Sequence, residues 1–296
     1  MIRRGIRHWR RPVLPVLGAG AVLLAGFWLR SLPPGKELPW LRIREQNRIA
    51  TLYFSDGPHL FPVSRRMPAA DDFPRGVLRA LIAGPAAASG LRGAIPPAAE
   101  VTLFRLENGI ARVDLSREIG ANDREQAVAA IVETLTALPG VRAVSVNAAG
   151  KTVVEAAPRV PLLYYPSAAG LVAVPDSAGT PRDAIDRFLQ APPGAALTGL
   201  PADVRLLKYT FAPAEALVSI NLSYTPSLHT LATEKPYLMR SVLLGLIASL
   251  TEFPEVHFVR IDFDGHSRLG LGQCSDLLQT PQPRPELLND ERLLGR

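Results

Sequence analysis

An internal repeat of about 110 residues constrains this chain more than any other feature of its sequence. Four short motifs occur twice and in the same order. The first, Leu-Tyr-Phe at residues 52–54, returns as Leu-Tyr-Tyr at 163–165, and the last, at residues 135–141, returns at 250–256. Such a repeat marks one structural unit that the chain uses twice. The sequence therefore predicts two copies of one small domain.

Each copy is predicted to contain two short strands, a helix, a hairpin, a long helix and a last strand. In the first copy, Asn108 and Gly109 are the favoured pair for a two-residue hairpin turn. Thr180 favours a helix N-terminus in the second copy. Asn122 and Glu125 indicate, as a capping pair, the start of the long helix in the first.

Apolar and polar residues alternate along the predicted strands, as in Ala111-Arg112-Val113. Each sheet is therefore expected to bury one face and to expose the other. The predicted fold class is α+β: two tandem small domains, each a mixed or antiparallel sheet with two helices packed on one face, after an N-terminal transmembrane helix.

The N-terminus has the features of a membrane anchor. Residues 1–11 are rich in arginine, and residues 12–29 carry no charge, which gives a helix of roughly 27 Å for a hydrocarbon core of ~30 Å. Because cationic residues stay in the cytoplasm, residues 12–32 are predicted as a single-pass anchor in the cell membrane, with the C-terminal domains extracytoplasmic. A cleaved signal peptide is the alternative. Residues 33–48 are predicted as a linker.

Domain boundaries follow from the positions of the repeated motifs. The first domain is predicted at residues 49–150 and the second at residues 161–266, with a short connection at 151–160. Residues 267–296 are predicted as a C-terminal tail that is mobile from Gln279, where prolines occur at alternate positions.

The positive charge of the chain is concentrated at its N-terminus. The net charge is +6, but five arginines in residues 1–11 and two further cations before residue 37 together exceed that value by one. The rest of the chain is therefore close to neutral, whereas a nucleic-acid-binding domain presents a basic face. The sequence predicts no nucleic-acid partner.

No set of residues in the sequence fits catalysis, a cofactor or a metal ion. Cys274 is the single cysteine, which excludes an intramolecular disulfide and a cysteine zinc site. Asp262, Asp264 and His266 lie close together, but a strand end with an Asp-Gly turn accounts for them, and metal ligands usually converge from several elements. A Gly-x-Ser-x-Gly motif is also absent. The prediction is a protein that is not an enzyme and needs no cofactor.

Five motifs carry a further signal: LYFSDG, NGIARVDLS and IVETLTALPGVRAVSVNAAG in the first copy, and the more diverged ALVSINLS and VHFVRIDFDG in the second. They resemble the GerMN domain of the sporulation and spore germination family. The resemblance implies tandem extracytoplasmic domains, similar in topology to ring-building motifs and without known catalytic residues. Many members are lipoproteins, and this chain departs from them because no cysteine follows its apolar segment.

The resemblance implies a scaffold that assembles or stabilises an envelope complex during sporulation or germination, through protein partners or self-association. Arg65 and Arg66 are candidate partner-binding residues, and the second copy lacks this pair. The same arginines can also meet an anionic wall polymer. The alternative function is therefore a peptidoglycan-binding protein that assists a wall hydrolase.

Overall fold

The computed structural model describes residues 47–267 and 271–294. The predicted transmembrane segment at 12–32 lies outside the described residues, as do the basic N-terminus and most of the linker. Among the helices that are described, none is both long and apolar enough to cross a membrane.

The elements of the two copies follow the same order, except that the second has one additional helix and the counterpart of the first copy's last strand comes from the C-terminal residues. The first copy contains β1 (Arg48–Ser55), β2 (Leu60–Met67), α1 (Phe73–Ala83), β3 (Val101–Glu107), β4 (Ile110–Leu115), α2 (Arg124–Thr136), β5 (Ala143–Ala148) and β6 (Lys151–Pro158). The second contains β7 (Leu162–Pro166), β8 (Leu171–Pro175), α3 (Pro181–Phe188), β9 (Leu206–Ala212), β10 (Leu217–Leu222), α4 (Pro226–Glu234), α5 (Pro236–Leu250) and β11 (Phe258–Phe263). The C-terminal residues add α6 (Ser275–Gln279) and β12 (Gln282–Pro283).

The two copies share one antiparallel sheet with the strand order β1-β2-β8-β7. Its first two strands belong to the first copy and its last two to the second. Strand β1 pairs with β2 along its whole length, whereas β2 pairs with β8 at a single position, Leu60 opposite Ala173. The copies are therefore parts of one compact unit that begins at Asn47.

Each copy also has a mixed four-stranded sheet of its own, β3-β4-β5-β6 in the first and β12-β11-β10-β9 in the second. The central pair is parallel in both sheets. A bulge leaves Thr102 of β3 without a partner, and an equivalent bulge leaves Leu207 of β9 without one. Because a bulge is a specific local feature, its recurrence shows that the repeat extends to the irregularities of the fold.

Tight turns close the hairpins at the predicted places. Asn108 and Gly109 have φ angles of 50° and 77°, and a type I′ turn requires positive φ at both central residues. Asp264 and Gly265, at 47° and 79°, form a turn of the same kind after β11, as Ala149 and Gly150 do after β5. The predicted hairpin turn and the Asp-Gly turn are both confirmed.

The main core lies between each mixed sheet and its helices. On β4, Ala111, Val113 and Leu115 are buried while Arg112 is exposed, as the alternation predicts. Ile131 of α2 is fully buried against this face. One face of the mixed sheet is therefore covered and the other is open.

The two predicted helix starts have different outcomes. Thr180 caps α3, because its Oγ1 accepts a hydrogen bond from the Asp183 N–H at 3.2 Å. The capping pair Asn122 and Glu125 was wrong. Helix α2 follows Asp123, which makes no side-chain cap and whose N–H closes a turn onto Gly120 O at 3.1 Å. Asn122 therefore lies within this turn and before the cap position.

Residues 151–160 are not the short connection that the sequence predicted. Most of them form β6, which pairs antiparallel with β5 and sets Val154 opposite Val146. Val153 and Val154 pack against the core. The strand covers an edge of the sheet that would otherwise expose unpaired backbone groups, so the first copy extends to Pro158.

The prediction that the C-terminal tail is mobile from Gln279 was also wrong for the described part of that segment. Leu277, Leu278 and Leu288 are buried, and so is Asn289. Alternate prolines favour an extended chain, and here that chain crosses from the second copy to β2 of the first, where Asp290 bridges Ser64.

Candidate functional site at the boundary between the copies

Polar side chains of both copies meet at the buried boundary between them, beginning with a repeated contact between strand and helix. The N–H of Tyr53 donates to Thr134 Oγ1 at 3.1 Å, and the N–H of Tyr164 donates to Ser249 Oγ at 2.8 Å. Because β1 and β7 are the outer strands of the shared sheet, these bonds satisfy backbone groups at its edges. Each long helix is thus attached to the shared sheet in the same way.

The side chains of Tyr53 and Tyr164 meet at the centre of this boundary. Their hydroxyl oxygens lie 2.8 Å apart, and apolar residues from both copies surround them, including Leu60 and Leu162. Burial raises the pKa of Tyr53 to about 12 and holds the pKa of Tyr164 well above its ordinary value. Both hydroxyls therefore keep their protons at neutral pH.

Glu252, just after α5, has a buried carboxylate that contacts the tyrosine pair. Its Oε1 accepts from the Tyr164 hydroxyl at 2.7 Å, so Tyr53 is the donor within the tyrosine pair. Arg284 Nη2 lies 2.5 Å from the same oxygen, and Arg159 Nη2 lies 2.5 Å from Oε2, although the Arg159 contact is not aligned as a hydrogen bond. The Glu252 side chain is 1% exposed, and two cations offset the free energy of burying its charge.

Glu133 of α2 supplies a second carboxylate on the side of the first copy. Its Oε1 accepts from the Val160 N–H at 3.3 Å, and its Oε2 lies 3.5 Å from Arg159 Nε. This second contact is poorly aligned, since neither atom has a hydrogen-bond partner in the described part of the chain. Burial raises the pKa of Glu133 to about 7, and the charge of Arg159 opposes the shift only in part.

We call these six side chains the ionic cluster: Tyr53, Glu133, Arg159, Tyr164, Glu252 and Arg284. They come from α2, from the end of α5, from the strands of the shared sheet, from the segment between the copies and from the C-terminal residues. Removal of one of its charged members leaves an opposite charge buried without its partner. None of the six is a serine, cysteine or threonine nucleophile next to a base. The arrangement can hold the two copies in one relative position.

The structure separates the two arginines that the sequence put forward as partner-binding residues. Arg65 makes its contacts within the fold. Its Nε donates to Glu291 Oε2 at 2.6 Å, and its Nη2 contacts the other oxygen of the same carboxylate. The guanidinium also donates to Gly84 O at 3.0 Å. Arg66 is exposed. A partner-binding role for Arg66 stays a prediction.

The remaining candidates do not converge on a site. Asp262 is half-buried on β11, and Asp264 and His266 are exposed around the turn that follows it. Across residues 47–267 and 271–294, no group of three or more histidine, cysteine, aspartate or glutamate residues is placed to hold a metal ion. The turn itself explains this cluster, as the sequence indicates.

Comparison with known protein families accounts for both copies. The model of the Germane family, described as sporulation and spore germination, matches residues 31–154 and 162–268, well over half of the chain. The chain belongs to the Germane family. The resemblance of both copies to GerMN domains is thereby confirmed. No curated protein matches the chain.

Solved structures show the same fold for the tandem unit. The chain is similar to the tandem GerMN domains of the sporulation protein GerM from Bacillus subtilis, with 18% identity and a TM-score of 0.62, over 82% of this chain and 99% of that one. It also matches the first GerMN domain of GerM from Bacillus subtilis, with 20% identity and a TM-score of 0.32, over 38% of this chain and 92% of that one. The first likeness establishes the mixed α+β fold of tandem GerMN domains.

Changing Glu133 to glutamine will remove a pH dependence from the stability of this Germane-family chain. The pKa of Glu133 rises from 4.5 to about 7 in the folded state, so the stability that it contributes is full below pH 4.5 and is lost as the pH rises through about 7. The change is on the order of 3 kcal/mol. Urea unfolding at about pH 5 and about pH 8 should show this loss in the wild type and not in Glu133→Gln. The control is Glu125→Gln, an exposed site on the same helix, and equal pH dependence in all three proteins would refute the prediction.

Removing the hydroxyl of Tyr164 will destabilise the protein more than removing that of Tyr53. The Tyr164 hydroxyl donates to Glu252 and contacts Tyr53 and Arg284, whereas that of Tyr53 contacts Tyr164. We expect Tyr53→Phe to lower the free energy of unfolding by about 1 kcal/mol and Tyr164→Phe by about 2–3 kcal/mol. Chemical denaturation of both variants and of the double variant measures their coupling. Equal losses in the two single variants would contradict the network.

Sequence reasoning missed the ionic cluster. Glu133 points away from the apolar stripe that Ile131 and Leu135 define on the predicted helix of the first GerMN domain, so the sequence favours an exposed position for it. The local sequence does not identify Arg159 and Arg284 as members of the cluster either, because tertiary contacts bring them to it.

Proposed function

We propose that this protein is a membrane-anchored, extracytoplasmic scaffold that assembles or stabilises an envelope complex in sporulation or spore germination. Membership of the Germane family supports the process. The fusion of two copies into one compact unit supports a scaffolding role, because it fixes the spacing of their surfaces. In this proposal, residues 12–32 hold the unit at the cell membrane as a single-pass anchor.

The observation that carries the proposal is the open face of each mixed sheet. On the first copy, Arg105 of β3 and Arg112 of β4 are exposed and lie directly opposite each other. On the second copy, Thr210 lies opposite Ser219, and the parallel neighbour is Arg260. The two open faces therefore differ in charge at this position although they share one backbone plan.

The pair Arg105 and Arg112 points to an acidic partner. Like charges directly opposite each other on neighbouring strands destabilise a sheet. Repulsion between these two arginines therefore lowers the stability of the isolated protein. A negatively charged surface docked on this face would turn the repulsion into attraction and would favour a specific orientation. We therefore assign the open face of the first copy, centred on these two arginines, as the surface for an acidic protein partner.

Capture of partners by the full-length protein tests this function. The tagged protein is purified from detergent-solubilised membranes of its own host, beside Arg105→Glu with Arg112→Glu. A matched control is Arg79→Glu with Arg92→Glu, which makes the same charge change at exposed positions elsewhere. We expect the wild type and the control to recover the same partner and the first variant to lose it. Recovery of no partner, with a strictly monomeric mass by light scattering, would reject the scaffold.

Wall binding is the second candidate, and the exposed Arg66, Arg105 and Arg112 favour it because an anionic wall polymer has the same charge as an acidic protein. Sedimentation of the protein with purified peptidoglycan over a range of salt concentrations separates the two. Binding that weakens as salt rises supports a wall contact through charge. A protein that stays in the supernatant at every salt concentration excludes it.

A further inference from the structure

The C-terminal residues 282–294 run back from the second copy onto the first, and we call them the strap. They contain β12 and a 3-10 helix, Glu291–Leu293. The strap enters a slot between β2 and β8 of the shared sheet. Next to the single paired position of these strands, Leu60 and Ala173, residues 288–290 take the place of further strand pairing. The slot is therefore completed by a segment distant in sequence.

The side chain of Asn289 lies between the two strands that form the slot. Its Nδ2 donates to Pro62 O at 2.6 Å and to Leu171 O at 2.8 Å, and its Oδ1 accepts from the Leu171 N–H at 2.8 Å. One side-chain amide thus satisfies backbone groups of both strands. Gly170 has a φ of 141° and no room for a side chain, because a Cβ there would collide with the Asn289 amide.

The residues on either side of Asn289 are also recognised. The Leu288 N–H donates to Ser64 Oγ at 3.0 Å, and the Ser64 N–H donates to Asn289 O at 2.8 Å. Arg65 holds the carboxylate of Glu291 through two bonds, an arrangement that is stronger and more specific than a single contact. The buried Leu288 side chain joins the apolar cluster around the tyrosines. The slot thus contacts residues in the pattern Leu-Asn-x-Glu.

These contacts are those of a bound peptide: main-chain hydrogen bonds, one buried apolar anchor, one amide and one carboxylate. None of them depends on the covalent connection between the strap and α6. We propose that the slot is a peptide-recognition site and that it accepts the strap of a second copy of this chain in exchange for its own. This extends the proposed scaffold, because it supplies the means of self-association.

Exchange leaves the contacts of the slot unchanged, so its equilibrium depends on concentration. A short tether gives the chain's own strap an effective concentration on the order of mM, which suppresses exchange in dilute solution. Pro283 and Pro285 lie in the first part of the strap and Pro281 just before it, and all three favour an extended, semi-rigid chain, which suits reach towards a neighbour. Dimers joined by exchanged segments form at little conformational cost when copies are crowded.

The first test asks whether the slot binds a strap that is not tethered. Glu291→Arg in the full-length chain weakens its own strap and leaves the slot intact. A labelled peptide with the sequence of residues 282–294 should bind this variant, and the same peptide with Asn289→Ala should bind at least about tenfold more weakly, as expected for a loss of about 1.4 kcal/mol. Equal binding of the two peptides, or binding of neither, would overturn the assignment of the slot.

The second test asks whether whole chains exchange straps. Arg65→Glu and Glu291→Arg each place like charges together within one chain, whereas a mixture of the two restores opposite charges in both slots of an exchanged dimer. Co-expressed with different tags, the two variants should co-purify about tenfold more than either does with itself. The double variant in one chain is the control. It should be more stable than Arg65→Glu alone and monomeric in dilute solution, although the bonds from Arg65 to Ala80 O and Gly84 O are lost in both. Absence of mixed dimers, or a double variant no more stable than Arg65→Glu, rejects exchange. Partner capture through Arg105 and Arg112 is measured in a separate experiment, so failure of strap exchange does not by itself reject the scaffold.

Discussion

Alanine in place of Gly245 will lower the free energy of unfolding by about 3 kcal/mol. Gly245 lies in the middle of α5, where the helix approaches β7. A Cβ at this position would come closer than 3.0 Å to the backbone oxygen of Tyr164, a distance that real Cβ atoms essentially never show. Because the opposing atom is backbone, the whole helix must move away from the strand, which disturbs the tyrosine pair. Urea unfolding monitored by circular dichroism measures the loss.

The control for this prediction is Gly76→Ala in α1. Both glycines lie within helices, but a Cβ at Gly76 would have Met67 Cε at 3.9 Å as its nearest neighbour. Alanine there is expected to stabilise the protein by about 0.5–1 kcal/mol, because it restricts the unfolded chain. Ala130 occupies the place in α2 that corresponds to Gly245 in the repeat, so the first copy already accommodates a methyl group. Stability changes of the same sign in both variants would show that the close approach of α5 is not the cause.

Asn289→Ala will lower the free energy of unfolding by about 3 kcal/mol, since a buried polar group that loses its partner costs about 1–3 kcal/mol. The change leaves the Leu171 N–H and the carbonyl oxygens of Leu171 and Pro62 without the amide that satisfies them. For a chain of this size the melting temperature should fall by about 10 °C. Thermal unfolding followed by calorimetry gives both quantities.

Asn147→Ala is the matched control for this experiment. Its Nδ2 donates to Asp114 Oδ1 at 2.8 Å on the open face of the first mixed sheet, where the residue is half-buried. Water replaces that bond when the amide is removed, so the expected loss is below about 1 kcal/mol. Similar losses at Asn147 and Asn289 would mean that the strap does not stabilise the boundary between the copies.

The elements of each copy could be predicted because their signals are local. Asn108 and Gly109 specify a turn through their own backbone preferences, and Thr180 caps a helix three residues away. The alternation along β4 identifies its buried face without reference to any partner. The prediction of α2 as a helix rests in the same way on the spacing of Ile131 and Leu135.

The joining of the copies could not be predicted, because the period of a strand specifies its faces but not its neighbour. Leu60 and Ala173 pair across the shared sheet although they lie in different copies. The same applies to the candidate site. Glu252 is buried only because Arg159 and Arg284 reach it from outside the repeated motifs, so a comparison of the two copies in sequence does not reveal them.

The shared sheet also sets an order of events for a ribosome that makes this chain from its N-terminus. Strand β2 emerges early, yet its outer edge stays uncovered until Ala173 of β8 is available, and the slot beside it stays empty until Asn289 has been made. An uncovered edge is a template for pairing with other chains. The nascent first copy thus keeps an uncovered surface while the second copy is made, and such surfaces make a folding chain prone to misassembly.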